Sequence, residues 1–134
     1  MESNPEIYEK HISVEKDHLD DQNHVNNVQY VQWIQDVAQE HWEKRASSEQ
    51  KSKMIWVVVK HEIDYKKEAF MGDPISLQTY VGETTHVTSV RHVIIKNSET
   101  GKVLVEAKTT WCLLDSETKR PIKISEDLKS VFEQ

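Results

Sequence analysis

One stretch of this 134-residue chain, Asp20-Asp-Gln-Asn-His-Val-Asn-Asn-Val-Gln-Tyr30, gathers side chains suited to reaction chemistry. It places two carboxylates, an imidazole and a run of carboxamides at and just ahead of the start of a helix-patterned segment. A helix start exposes unpaired N–H groups and positive potential. A carboxylate beside such donors is the arrangement wanted for attack on a carbonyl. The amides take the developing oxyanion, and the acid positions or activates water. Asp20 is the candidate acid, and the amides of the helix start are the candidate carbonyl donors. His24 is either a proton-transfer group or a ring that orders the loop. Asn26 reads as helix cap, Asn27 as a substrate contact, and Tyr30 as core or pocket wall. Loop aspartates are common, so spacing alone favours a turn or pre-cap role for Asp20. Asp17 and Asp21 read as solvated, close enough to raise the proton affinity of Asp20. His18 and His24 with Asp20 match no metal-ligand spacing, and no metal or other cofactor is implied.

The elements that must position these groups follow from patterning. Residues 7–16 alternate, with Tyr8, Ile12 and Val14 on one face, and read as a strand. A helix then starts at Asn26 or Asn27. Gln29 sits where a capping-box partner belongs, and Val25 and Tyr30 where a hydrophobic staple would. Tyr30, Ile34, Val37, Ala38, His41 and Trp42 recur at helical spacing over about 19 residues, or roughly 28 Å. Lys44 and Arg45 suit its C-terminal end. Residues 46–53 read as a polar connection. Four strands follow, over 54–66, 74–82, 86–96 and 102–114. The first is expected to put Ile55, Val57, Val59, Ile63 and Tyr65 on one face; the third has an unclear phase that suggests a bulge. GETT (82–85) and NSETGK (97–102) read as turns, and 126–132 as a short helix. The order is α+β, with one helix on an antiparallel sheet. A single helix covers one sheet face, so a second copy of the chain is the economical partner for the rest.

Composition excludes several classes. A net charge of −6, from 17 basic and 23 acidic residues, argues against non-specific nucleic-acid binding. Cys112 stands alone, which removes disulfide frameworks, thiolate zinc sites and CxxC redox pairs. Gly72, Gly82 and Gly101 are too dispersed for a phosphate loop. The longest apolar run, Met54 to Val59, is too short for a membrane span. The polar start MESNPEIYEK lacks the pattern of a signal or transit peptide, so one cytoplasmic domain over residues 1–134 is expected. The four tryptophans, Trp33, Trp42, Trp56 and Trp111, read as core or dimer contacts. His61 reads as a buried or interface histidine, and Asp36 and Glu40 as solvated helix acids.

The pattern D-x-x-x-H-V-N-N-x-x-Y entering a long helix after a first strand resembles the hotdog-fold acyl thioesterases of the 4-hydroxybenzoyl-CoA thioesterase type. HEIDYKKEAFMGD (61–73) and KRPIKI (119–124) match the same family, so the likeness covers nearly the whole chain. It implies one long helix wrapped by a curved antiparallel sheet, and homodimers, or tetramers, with active sites at the subunit interface. It implies hydrolysis of acyl-CoA, with Asp20 as the catalytic acid residue, acting as general base toward water or as nucleophile, and the amides from Val25 to Asn27 on the thioester carbonyl. Arg91, Lys96, Arg120 and Lys123 become candidates for CoA phosphates. Two departures stand out: Asn23 where Gly often precedes the histidine, and Glu68 where Pro is common. The block also resembles plant-type acyl-carrier-protein thioesterases, although Gln22 stands where those have Asn, and those carry two hotdog units. That places the carrier-protein reading second. A non-catalytic acyl-CoA-binding hotdog protein is a third reading. A hotdog dehydratase is disfavoured, since its Asp-x-Asn-Pro-x-His pattern is missing.

Overall fold

The computed structural model describes residues 4–134; residues 1–3, the beginning of the polar N-terminal stretch, lie outside it. The first strand, β1 (Tyr8–Ser13), leads through a 3-10 turn at Lys16–His18 into helix α1 (Asn27–Arg45). A short helix, α2 (Ser48–Lys53), and strands β2 (Met54–Tyr65), β3 (Pro74–Thr84), β4 (Thr88–Asn97) and β5 (Val103–Asp115) follow. Helix α3 (Glu126–Ser130) closes the order. The strands form one antiparallel sheet in the order β1-β3-β4-β5-β2.

Helix α1 begins where its cap dictates. The Asn26 side chain accepts from the Val28 N–H at 2.9 Å, and this cap is made by Asn26 alone, without Gln29. Val25 and Tyr30 are both buried, as the staple requires. Tyr30, Trp33, Ile34, Val37, Ala38, His41 and Trp42 form the buried stripe of α1. The forward part of that stripe packs on Ile75, Leu77, Val93, Ile95, Val105 and Ala107 of the sheet. Trp42 joins a second cluster with Leu113, Ile124, Leu128 and Phe132. Each large apolar side chain fully removed from water contributes about 1.5–3 kcal/mol.

Three expectations are corrected. Residues 46–53 are not an irregular connection. Ser47 and Gln50 close a reciprocal capping box, at 2.8 and 3.1 Å, that starts α2. In β2 the pairing with β5 skips from Val58 to Lys60, so Val59 is a bulge. The bulge reverses the alternation. Trp56, His61, Ile63 and Tyr65 therefore oppose the inward positions of β5, while Val57 and Val59 are 37% and 61% exposed. In β4 the alternation puts Ser89, Arg91, Val93 and Ile95 inside. The strand starts two residues later than the pattern indicated, because Thr85 and Thr88 close the preceding turn. The β4–β5 turn needs Gly101 at φ 75°, a backbone region that penalises other residues.

Candidate functional site

The segment between β1 and α1 is a tight loop tied to itself. The Asp20 N–H donates to the His24 carbonyl at 2.7 Å, and the Asn26 N–H donates to the His18 carbonyl at 3.0 Å. These two bonds flank a bridge between Leu19 and Val25. Asp20 Oδ1 accepts from the Gln22 N–H at 2.9 Å and the His24 N–H at 3.1 Å. Asp20 is therefore a turn-forming residue whatever else it does. The His24 and Gln22 amides, in that order, hold its carboxyl below the usual range. Asn23 has φ 63°, which explains why it can replace the family's glycine: Asn tolerates the left-handed region better than most residues.

His24 is not free in this loop. Its Nδ1 lies 2.8 Å from Glu68 Oε1, and its ring meets Phe70 edge-on at 6.1 Å. An ionised carboxylate only accepts, so Nδ1 carries the hydrogen in this pair and a neutral ring keeps the Nε2 lone pair available. Glu68 is set by the segment after β2, which is fastened at several points. The Ala69 N–H donates to Tyr30 Oη at 3.0 Å, and the Phe70 N–H to Asp73 Oδ2 at 2.8 Å. Val14 makes two further backbone bonds with this segment, its N–H donating to the Asp73 carbonyl and its carbonyl accepting from the Gly72 N–H, each 3.0 Å long. Sequence reading registered Glu68 only as a departure from proline. The partnership spans 44 positions, and no local spacing could reveal it.

The helix-start amides are unequal. The N–H of Asn26 goes to His18, that of Val28 to the Asn26 side chain and that of Gln29 to the Asn26 carbonyl. Asn27 is exposed, and its N–H has no intramolecular acceptor among the described residues. It is the first-turn donor left for a ligand. The side chains of Val25 and Tyr30 lie in the core at 5% and 2% exposure, as the core reading of Tyr30 expects, while the Val25 N–H, expected on the carbonyl, also has no intramolecular acceptor among the described residues. The Tyr30 hydroxyl is engaged by Ala69.

Asp20 is exposed in the single chain. Four large apolar side chains, Val28, Tyr65, Phe70 and Met71, are between 47% and 72% exposed, and Phe70 lies against the His24 ring of this loop. A cavity of about 270 Å³ lies beside the C-terminal half of α1 and is lined by residues such as Ala38, Trp42, Trp56, Arg91, Trp111 and Phe132. Arg91, expected at CoA phosphates, is a core residue at 6% exposure. Its position on the inward face of β4 decides this, and it bonds to His41 Nδ1 and Thr79 Oγ1. Arg120 and Lys123 are exposed, and Lys96 is half-buried. His61 is half-buried, 2.8 Å from Thr109 Oγ1 and 3.2 Å from Gln35 Nε2. Glu40 is not simply solvated: it accepts from the Tyr8 hydroxyl at 2.7 Å and pairs with Lys10 at 2.8 Å. Among the described residues no cluster of His, Cys, Asp or Glu is arranged to hold a metal, and no helix is long and apolar enough to cross a membrane.

One long helix held against a five-stranded antiparallel sheet defines a hotdog fold. Residues 5–132 match the family model described as "Acyl-ACP thioesterase N-terminal domain", and the chain belongs to that family. A chloroplastic acyl-[acyl-carrier-protein] hydrolase, FATB3 of Cuphea viscosissima, is 29% identical over 79 residues, which is 59% of this chain and 19% of that protein. The chain thus spans about a fifth of the length of such plant relatives. The long-chain acyl-CoA thioesterase FadM of Escherichia coli is 23% identical over 125 residues, covering 92% of this chain and 95% of FadM. The crystal structure of YbaW, a probable thioesterase from Escherichia coli, superposes with a TM-score of 0.83 at 22% identity, over 92% of this chain and 94% of that one. Both resemblances legible in the HVNN block, to acyl-CoA and to carrier-protein thioesterases, are present in these matches.

Proposed function

We propose that the chain hydrolyses acyl-CoA thioesters to a free carboxylic acid and CoA, in the loop that opens α1. The observation that carries this reading is the His24–Glu68 pair, held at 2.8 Å in the same loop as Asp20 and just ahead of the unpartnered Asn27 N–H. The full-length likeness to an acyl-CoA thioesterase supports CoA as the thiol carrier. The family match favours a second reading, in which the acyl group arrives on an acyl carrier protein.

Three groups divide the chemistry. The Asn27 N–H polarises the thioester carbonyl and accepts its developing charge. His24 Nε2 takes the proton of an attacking water, while Glu68 fixes the ring and stabilises the imidazolium. Collapse of the tetrahedral intermediate breaks the C–S bond, and His24 returns the proton to the leaving sulfur. Asp20 stays ionised and is therefore a weak proton acceptor at neutral pH. It shapes the loop through Oδ1 and adds negative charge near His24. One observation favours a nucleophilic role instead: Oδ2 has no protein partner among the described residues while Oδ1 is anchored.

A second copy of this hotdog unit supplies the missing wall. β2 lies at the sheet edge with Val57 and Val59 exposed, and an unprotected edge strand invites pairing. A homodimer, which two-fold pairing can extend to a tetramer, buries that edge. Arg120 and Lys123 then stand as the exposed candidates for CoA phosphates.

The test is a panel of acyl-CoA and acyl-carrier-protein thioesters of graded chain length, read by release of free thiol. Saturable hydrolysis of acyl-CoA substrates is expected. Hydrolysis confined to carrier-protein substrates would transfer the activity to the second reading, and binding without turnover would leave a non-catalytic acyl-CoA-binding protein.

A further inference from the structure

The cavity beside the C-terminal half of α1 is chemically one-sided. Arg91 is 6% exposed, and no carboxylate lies within ion-pair distance of it among the described residues. One guanidinium nitrogen, Nη1, makes both of its protein bonds, to His41 Nδ1 at 2.9 Å and Thr79 Oγ1 at 3.2 Å. Its Nε and Nη2 have no protein acceptor among the described residues. The Phe132 ring covers the guanidinium at 4.9 Å. Burial lowers its pKa to about 10, which leaves it charged at neutral pH. Glu6 does not neutralise it: that carboxylate is taken by His41 Nε2 and Arg45 Nε, each at 2.7 Å.

Two residues that line the same space carry further unmatched donors. The indole nitrogens of Trp56 and Trp111 are buried and lack any hydrogen-bond partner. Buried donors without acceptors are costly, and three residues that leave donors unmatched around one void indicate a missing acceptor. The remaining wall is largely apolar, from Ala38, Trp42, Met54, Val81 and Phe132. At the mouth, Glu43 and Lys51 face each other at 3.7 Å and offset one another's charge. The space of about 270 Å³ equals roughly nine water volumes. Ala38 lies eleven residues along α1 from Asn27, about 17 Å away, so this is not the loop that opens the helix.

We propose that this cavity is a binding site for a small monocarboxylic acid with an apolar body, its carboxylate received by Arg91, Trp56 and Trp111 and its chain by the apolar wall. A carboxylate supplies two acceptor oxygens and the negative charge that the buried guanidinium lacks. An alcohol supplies no charge, and an amine brings the wrong sign. The inference concerns binding alone and stands whether or not the chain hydrolyses thioesters.

Calorimetric titration of the full chain with octanoate, octanol and octylammonium tests it. Octanoate is expected to bind at one site, about tenfold or more tighter than either analogue. The double substitution Trp56→Phe/Trp111→Phe removes both indole donors while retaining most of the volume, and should weaken octanoate about tenfold. Arg91→Gln should weaken it further if the variant folds, and the double variant carries the test if it does not. His24→Ala should leave octanoate binding unchanged. Equal affinity for all three ligands, no saturation by octanoate up to about 10 mM, or an unchanged double variant would overturn the proposal. So would loss of octanoate binding in His24→Ala, which would place the acid in the loop at the other end of α1.

Discussion

Substituting His24 and Glu68 singly and together tests whether they act as one unit. Glu68 touches the imidazole through one bond of 2.8 Å, and the two side chains are 57% and 41% exposed. Glu68→Gln keeps an acceptor but converts a charge-assisted bond into a neutral one, a loss of about 1–1.5 kcal/mol. That corresponds to about a tenfold fall in kcat/KM. His24→Ala removes the base, a loss of about a hundredfold to ten-thousandfold. If Glu68 works only through His24, the double variant is no slower than His24→Ala, because the second change removes a partner already gone. Release of free thiol from a long-chain acyl-CoA, fitted for kcat/KM in all four proteins, gives the coupling. Losses that multiply, so that Glu68→Gln costs a further tenfold in the His24→Ala background, would show that Glu68 acts on the substrate by itself and would refute the pairing.

The other predictions use the same structure. Asp20→Asn keeps the Oδ1 acceptor for the Gln22 and His24 amides, so the variant should fold with an unchanged melting temperature. Its kcat/KM should fall about hundredfold if Oδ2 attacks the substrate, and about tenfold or less if Asp20 only shapes the loop. Asn23→Val places a β-branched residue at φ 63°, a cost of about 1–2 kcal/mol that a lower denaturation midpoint should report, with Asn23→Gly near wild type. Burial holds the fully enclosed His41 imidazole below its usual range, against the pull of Glu6 and aided by Arg91. The unfolded chain therefore takes up this proton first, so the His41 contribution is complete above about pH 6.5 and is lost as pH falls, at up to about 1.4 kcal/mol per unit. His61 and His92, also lowered by burial, add to the same slope, and comparison with His41→Gln in urea titrations from pH 7.5 to 5 isolates the His41 share. Val57→Asp/Val59→Asp should halve the particle mass in light scattering and abolish hydrolysis; a full-mass variant would place the interface elsewhere.

Much of the fold was legible because its causes are local. The Asn26 cap, the Val25–Tyr30 staple and the stripe from Tyr30 to Trp42 define α1 in full, and alternation marks β3 and β5. β2 was misread at Val59 because a bulge reverses the faces without leaving a glycine or proline as a signal. α2 was missed although its capping box, Ser47 with Gln50, was in plain view. The site divides along the same line. Of the groups proposed for the chemistry, Asp20 and His24 share the loop that runs into Asn27 at the start of α1, so local spacing announces them. Glu68 and Arg91 depend on how distant strands meet: Glu68 comes to His24 through the segment anchored on Tyr30, and Arg91 turns inward with the parity of β4. Surface basic residues are the default, so a buried unpaired arginine has no sequence signature.

The most direct test of the account is a crystal structure of the protein with a non-hydrolysable ketone analogue of a long-chain acyl-CoA. The account predicts the ketone oxygen about 3 Å from the Asn27 N–H, His24 Nε2 within reach of the carbonyl carbon through one water, and Glu68 still on Nδ1. A ketone seated beside Trp56 and Arg91, with the loop from Asp20 to Asn26 left open to solvent, would contradict it.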